Sequence, residues 1–257
     1  DKRPILPEPR LPEISHQPWN VVVTGIGGTG VLTVTALVAM AAHIEGKGCS
    51  TMNQTGLAQK FGSVVSHVRV GLNQQAINAV RIPAGDADLL LGCDLVVAAG
   101  DEAMAKVNAE RSHAIINAAE SVTAEFINKP DTVFPSSAMK QTINEEVGKH
   151  KVSFIDASAI ATNLLGDSIA SNLFLLGYAY QSGLIPVSAA AIEEAIVLNG
   201  VAIEFNRAAF NWGRSAKLNL KEVNEIARVV PLEKPLQNVA DIIEDRANRL
   251  TLYQNSS

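Results

Sequence analysis

The chain has 257 residues, 47% of them hydrophobic and 18% charged, which is enough apolar material for one large domain or one domain with a smaller helical appendage. A formal net charge of −5 and a pI near 5.6 argue against nucleic acid as a partner. Mean hydropathy is high at +0.14, yet the longest apolar stretch, Val31 to Ile44, is broken by Thr33, Thr35 and His43 and is shorter than the roughly 20 residues a membrane span needs.

Residues 1–18 hold five prolines and no periodicity, so they read as an extended arm or linker. The opening Asp1-Lys2-Arg3-Pro4 has no signal-peptide pattern and points to a cytoplasmic protein. Trp19 to Thr24 is an apolar run of strand type, followed by the glycine turn Gly25-Ile26-Gly27-Gly28-Thr29-Gly30 and a helix from about Thr29 to Glu45, stopped by Gly46 and Gly48. Cys49–Asn53 and Ser63–Gly71 read as strands on either side of the loop Gln54–Gly62. Within Leu89–Ala99 the predicted strand is Leu95-Val96-Val97-Ala98; a helix is predicted over Asp101–Glu110 and a strand over His113–Ala118. A helix at Ser137–Lys149 and a strand at Val152–Asp156 complete the alternation, and helical patterns follow at 157–165, 168–182, 188–198, 200–216 and 236–250.

This alternation predicts an α/β fold: a Rossmann-like, mainly parallel sheet covered by helices on both faces, with a helical C-terminal region. The predicted divisions are the arm 1–18, a Rossmann-like domain 19–220 and a helical extension 221–257 toward a following domain. The first residue is Asp, and a charged helical pattern runs to the last residues, so the chain reads as a domain excised from something longer.

Gly25, Gly27 and Gly30 fit G-x-G-x-x-G between a strand and a helix. In that pattern the first glycine permits the tight turn, the second admits a phosphate to the backbone, and the third lets helix and strand pack closely. Free N–H groups at the helix start then face an anion. A nicotinamide dinucleotide also needs an acid at the end of the second strand to hold the ribose. Here that position reads Thr51-Met52-Asn53-Gln54, and Glu45 comes before the strand, so another anionic ligand is expected. The loop that follows, Gln54-Thr55-Gly56-Leu57-Ala58-Gln59-Lys60-Phe61-Gly62, gathers amides, a hydroxyl and an ammonium where open parallel sheets bind ligands, although a solvated surface loop has the same composition.

The combination of GIGGTGV with QTGLAQK-x-G-x-VVSHVR resembles the gamma domain of 2-oxoacid:ferredoxin oxidoreductases, most closely the indolepyruvate branch in its long fused bacterial form. The stretches AIVLNG at 195–200 and NRAAFNWGR at 206–214 resemble the same branch, so the likeness runs from about 19 to 216. It implies a part of an enzyme that oxidatively decarboxylates an aryl pyruvate to an acyl-CoA and passes electrons to ferredoxin. Thiamine diphosphate with magnesium and [4Fe–4S] clusters would lie on other domains or subunits, which are the implied partners, and coenzyme A would be received partly here. Matched residue by residue, Gly25, Gly27, Gly28, Thr29 and Gly30 fall on the glycine turn; Gln54, Thr55, Gly56, Gln59, Lys60, Gly62 and Arg69 fall on the second motif. Phe61-Gly62 departs from the Gly-Gly usual in the family, and a phenyl ring there would narrow the cleft or cover a domain interface.

Along Ser63–Gly71, Val64, Ser66, Val68 and Val70 share one face and Val65, His67 and Arg69 the other, with His67 read as a hydrogen-bonded structural histidine. His16, His43, His113 and His150 lack metal-ligand spacing, Cys49 and Cys93 read as buried apolar thiols, and Asp101 suits the N-cap of 102–110. No catalytic constellation stands out, and the isolated domain is expected to be inactive. Three readings follow: an accessory domain of an oxidoreductase that holds coenzyme A and closes the active site, a stand-alone NAD(P)-binding protein, or a pure scaffold whose glycine turn is empty.

Overall fold

In the computed structural model, which describes residues 6–55, 62–120 and 135–228, one sheet organises the chain. Its strands are β1 (Trp19–Ile26), β2 (Gly48–Thr55), β3 (Ser63–Gly71), β4 (Leu89–Gly92), β5 (His113–Asn117) and β6 (Val152–Ile155). They lie in the order β2-β3-β1-β4-β5-β6. β1, β4, β5 and β6 are parallel, while β3 runs antiparallel to both β1 and β2, which leaves β2 pointing the same way as β1. The sheet is therefore mainly parallel, as the alternation predicts, with one reversed strand inserted beside β1.

Helices α1 (Val31–Ile44), α5 (Ala157–Leu165), α6 (Ser171–Gln181), α7 (Ala189–Asn199), α8 (Ile203–Leu218) and α9 (Leu220–Ala227) pack on one face. That face presents Val21, Val23, Val64, Val68, Leu89, Leu91 and Ile115. The other face, with Val22, Val65, Leu90, Ala114 and Ile116, is covered by α2 (Leu95–Ala98), α3 (Asp101–Met104) and α4 (Ser136–Val147). The period-2 alternation of β1 and β3 separates the two cores, and each fully buried Val or Leu contributes about 1.5–3 kcal/mol. α6 is buried along its whole length, which is why its sequence shows no polar face.

Three sequence expectations change. Leu95-Val96-Val97-Ala98 is a helix, and the strand is Leu89–Gly92. The β-branched pair suggested a strand, but the Asp94 carboxylate accepts the Val97 N–H at 2.9 Å and starts a turn whose buried residues, Leu95 and Ala98, have helical spacing. The next helix is only Asp101–Met104; Gly100 is its cap residue, and Asp101 stands in the first turn without capping it. The extension expected from 221 begins inside α9, whose Val223 and Ala227 belong to the main core; the predicted helix 236–250 lies outside the described residues.

The described part of the arm, residues 6–18, holds no helix or strand, yet it is docked. The Gln181 side chain donates to the Pro7 carbonyl at 2.8 Å, and Arg214 of α8 pairs with Glu8 at 2.9 Å. Leu11 and Ile14 pack against the larger core.

Candidate functional site

The turn after β1 runs straight into α1, and its glycines divide the work differently from the sequence pattern. Gly28 and Gly30 hold left-handed φ values of +88° and +89°, which a side chain would strain. Gly25 is the close-packing glycine: a Cβ there would lie 2.5 Å from Val31 Cγ2 and 3.2 Å from Cys93 Cβ. The Gly27 N–H is occupied, donating to the Gly62 carbonyl at 2.8 Å. Among the described residues, the N–H groups of Gly28, Gly30, Val31 and Leu32 have no acceptor, as expected at a helix start.

Beside the turn opens a cleft of about 310 Å³. Ile26, Gly28 and Thr29 form one wall; Cys93 and Asp94 come from the end of β4, Asn117 from the end of β5, and Ser158, Ser168, Ile169, Ser171 and Asn172 close the far side. The chain leaves β1 toward β2 on one side, while β4 lies on the other, so this is the point where strand order reverses. In open α/β sheets that crevice, at the carboxyl ends of the strands, is where ligands bind.

The walls are braced by neutral amides. Asn117 donates to the Cys93 carbonyl at 3.2 Å and to Ser158 Oγ at 2.9 Å, while its Oδ1 accepts the Ala157 N–H at 3.1 Å. Asn172 donates to the Thr29 carbonyl at 2.7 Å. Burial pushes the Asp94 carboxyl up, against the N–H groups of Val97 and Val96 that pull it down. Burial also pushes the Cys93 thiol up to about 12, so it is no thiolate nucleophile at neutral pH.

The second motif divides in three. Gly62 is brought to the glycine turn through the Gly27 N–H, while Thr55 ends β2 one strand further out, opposite Val64, which is itself opposite Gly25. Gln54 is close by, but its Oε1 accepts from His67 Nε2 at 3.1 Å. Gly56, Gln59, Lys60 and Phe61 lie outside the described residues. Arg69 is not brought to the turn. β3 carries it to the opposite end of β1, where its guanidinium donates to Asn20 Oδ1 at 2.9 Å and to the Ala79 carbonyl at 2.8 Å.

His67 is fully buried and structural, as expected. Its Nδ1 accepts the Ile82 N–H at 3.1 Å, so the proton resides on Nε2, and burial followed by the charges of Lys106, Arg81 and Arg69 pushes its pKa down to about 4. Asp94, Asn117 and Asn172 were missed in the sequence. The first two had a signal, a polar residue that closes an apolar run; Asn172 had none beyond being polar in an apolar helix.

Residues 20–216 match the model of the family described as pyruvate ferredoxin/flavodoxin oxidoreductase. The chain belongs to that family. It is 29% identical over 201 residues to the indolepyruvate oxidoreductase subunit IorB of Pyrococcus horikoshii, covering 77% of this chain and 95% of the relative. The common gamma subunit of the pyruvate/ketoisovalerate oxidoreductases of Pyrococcus furiosus is 26% identical, with 67% of this chain and 81% of that one covered. Among solved structures, the pyruvate oxidoreductase subunit PORC of Thermotoga maritima shares the fold with a TM-score of 0.55 at 18% identity, over 77% of this chain and 96% of that one. The 2-oxoglutarate:ferredoxin oxidoreductase of Magnetococcus marinus, whose structure holds 2-oxoglutarate, coenzyme A and succinyl-CoA, gives 0.56 at 15% identity, over 85% of this chain and 32% of that one. The first three of these are named as subunits of oxidoreductases, and among the described residues no helix is long and apolar enough to cross a membrane.

Proposed function

We propose that this chain is the gamma domain of an indolepyruvate-type 2-oxoacid:ferredoxin oxidoreductase, and that its cleft receives an anionic part of coenzyme A while the domain helps close the active site. The observation that supports this reading is the placement of acceptor-free N–H groups beside a cleft at the strand-order reversal. At about 310 Å³ the cleft suits a portion of coenzyme A rather than the whole molecule, which leaves the remainder for a neighbouring domain.

The decarboxylation chemistry belongs to thiamine diphosphate and its magnesium ion, and electron transfer to [4Fe–4S] clusters, both assigned to other domains. The residues present here do not fit a cluster: there are two cysteines where four thiolates are needed, and burial holds both as thiols. A nicotinamide cofactor fits less well than coenzyme A, because no acid ends β2 and a reversed strand separates β2 from β1.

The test is calorimetric titration of coenzyme A, NAD and NADP into the full-length protein and its Gly28→Val variant. Gly28 faces open space, so the branched side chain displaces no neighbour, while its strain at a φ of +88° re-aims the N–H groups of the turn. Coenzyme A is expected to bind the wild type in preference to both nicotinamide cofactors, and about tenfold or more weakly to the variant, the loss of roughly one charge-assisted hydrogen bond. Equal coenzyme A affinity in both proteins, or preferential binding of NAD, overturns the reading.

A further inference from the structure

Helix α6 touches the glycine turn with one end and the N-terminal arm with the other. In its first turn Asn172, 3% exposed, donates to the Thr29 carbonyl at 2.7 Å. In its last turn the Tyr180 hydroxyl bonds Glu8 and the Gln181 amide bonds the Pro7 carbonyl. Arg214 of α8 completes that seat: it bonds Gln181 and Glu8, and its guanidinium lies 5.1 Å from the Tyr180 ring centroid. Between the two ends α6 and α8 are in backbone contact. A Cβ at Gly177 would fall 1.9 Å from the Phe210 carbonyl oxygen, and one at Gly213 the same distance from that of Phe174. The pair has no slack along the ~13 Å from Asn172 to Gln181.

Thr29 stands between two left-handed glycines, so the turn supplies little restraint of its own beyond bonds from Thr29 to the Ile26 carbonyl. The Thr29 carbonyl and the Gly30 N–H share one planar trans peptide and point in opposite directions. Whatever fixes the carbonyl therefore fixes the direction of an acceptor-free donor. We propose that Asn172 is the positioning residue of the glycine turn, and that the docked arm holds it in register from the far end of α6. The proposal rests on the anion site described above for its functional meaning, but not for its test.

Asn172→Asp separates positioning from folding. It keeps the volume, and a carboxylate in the first turn of a helix is electrostatically favoured, yet it sets an oxygen against the Thr29 carbonyl. Glu8→Lys, on an exposed side chain, turns the seat at buried Arg214 repulsive. Hydrogen exchange on the ligand-free full-length protein reads the turn, and limited proteolysis reads the arm. For Asn172→Asp, exchange of the bonded amides at the turn, Thr29, Thr33 and Val34, is expected to rise about tenfold, a rise that the core strands do not share, the change of roughly one hydrogen bond. For Glu8→Lys, cleavage within residues 6–14 is expected to accelerate, and exchange of Thr29, Thr33 and Val34 to rise by a smaller factor. Unchanged exchange at the turn in Asn172→Asp overturns the positioning role. An arm that stays protected in Glu8→Lys, or one that loosens without any change at the turn, overturns the linkage. Should exchange respond as expected while coenzyme A binds neither protein, the positioning stands and the proposed ligand falls.

Discussion

The two ends of the sheet are built from opposite chemistry. At the carboxyl end the cleft is lined by backbone N–H groups, hydroxyls, the neutral amides of Asn117 and Asn172, and one carboxyl, Asp94, whose Oδ1 is taken up by the Val97 N–H. At the other end Asp86, Asp88, Arg111, Arg69 and Asn20 form an ionic knot. Arg111 pairs with both aspartates, Asp88 accepts the Asn20 N–H at 2.8 Å, and Arg69 donates to Asn20 Oδ1. Full charges thus lock the foot of β1, where a fixed geometry suffices. Dipoles that keep their orientation without a counterion face the cleft, where an anion can gain from them. Charge in a sequence motif is therefore a poor guide to which end of a strand is functional.

Breaking the knot tests this division most severely. Asp88→Ala removes a nearly buried carboxylate, leaves the Asn20 N–H without its acceptor, and is expected to cost about 3–5 kcal/mol in denaturant unfolding. Coenzyme A affinity of the remaining folded protein should stay unchanged; a large fall would mean the two ends are not independent.

His67 lies between the ends and supplies a pH-dependent check. Its pKa drops from 6.5 to about 4 on folding, so the unfolded chain binds the proton first. Stability from this group is complete above pH 6.5 and is lost as the pH falls from 6.5 toward 4, by up to about 3 kcal/mol. The acid-side slope of unfolding free energy should flatten in His67→Gln; an identical slope would show that other groups set it.

The mildest change sharpens the cleft end. Gly25→Ala sets a methyl against Val31 and Cys93, with an expected cost of about 1–3 kcal/mol from overpacking. Tm read alongside coenzyme A affinity would show whether the shift of α1 against β1 also reaches the turn.

Much of this was legible in the sequence because it is local. Strand periodicity in Ser63–Gly71 placed every side chain on its correct face, and the glycine turn announced both strand end and helix start. What escaped was set by distance through space. Arg69 shares a motif with Gly62, yet eight-residue pairing with β1 carries it to the far end of the sheet. Asn172 meets Thr29 across a separation of 143 residues in the sequence. The arm has the composition of a linker, and only α6 and α8 together reveal its seat. Leu95-Val96-Val97-Ala98 failed for a smaller reason: Asp94 outweighed the strand preference of two valines.

The reversed strand also has a consequence for how the chain assembles. β2 and β3 pair residues close in sequence, from Thr55 with Val64 outward, whereas β1 meets β4 through Val21 and Leu89. Loop-closure entropy favours the short pairing first, and parallel strands form late. The hairpin is then a preformed template that β1 joins along its full length, and the half of the cleft contributed by β4 and β5 is completed afterward. Nascent chains that have paired β1 with the hairpin before β4 is available would offer β1 as an open edge, the stage at which a chaperone or a wrong partner would find this protein.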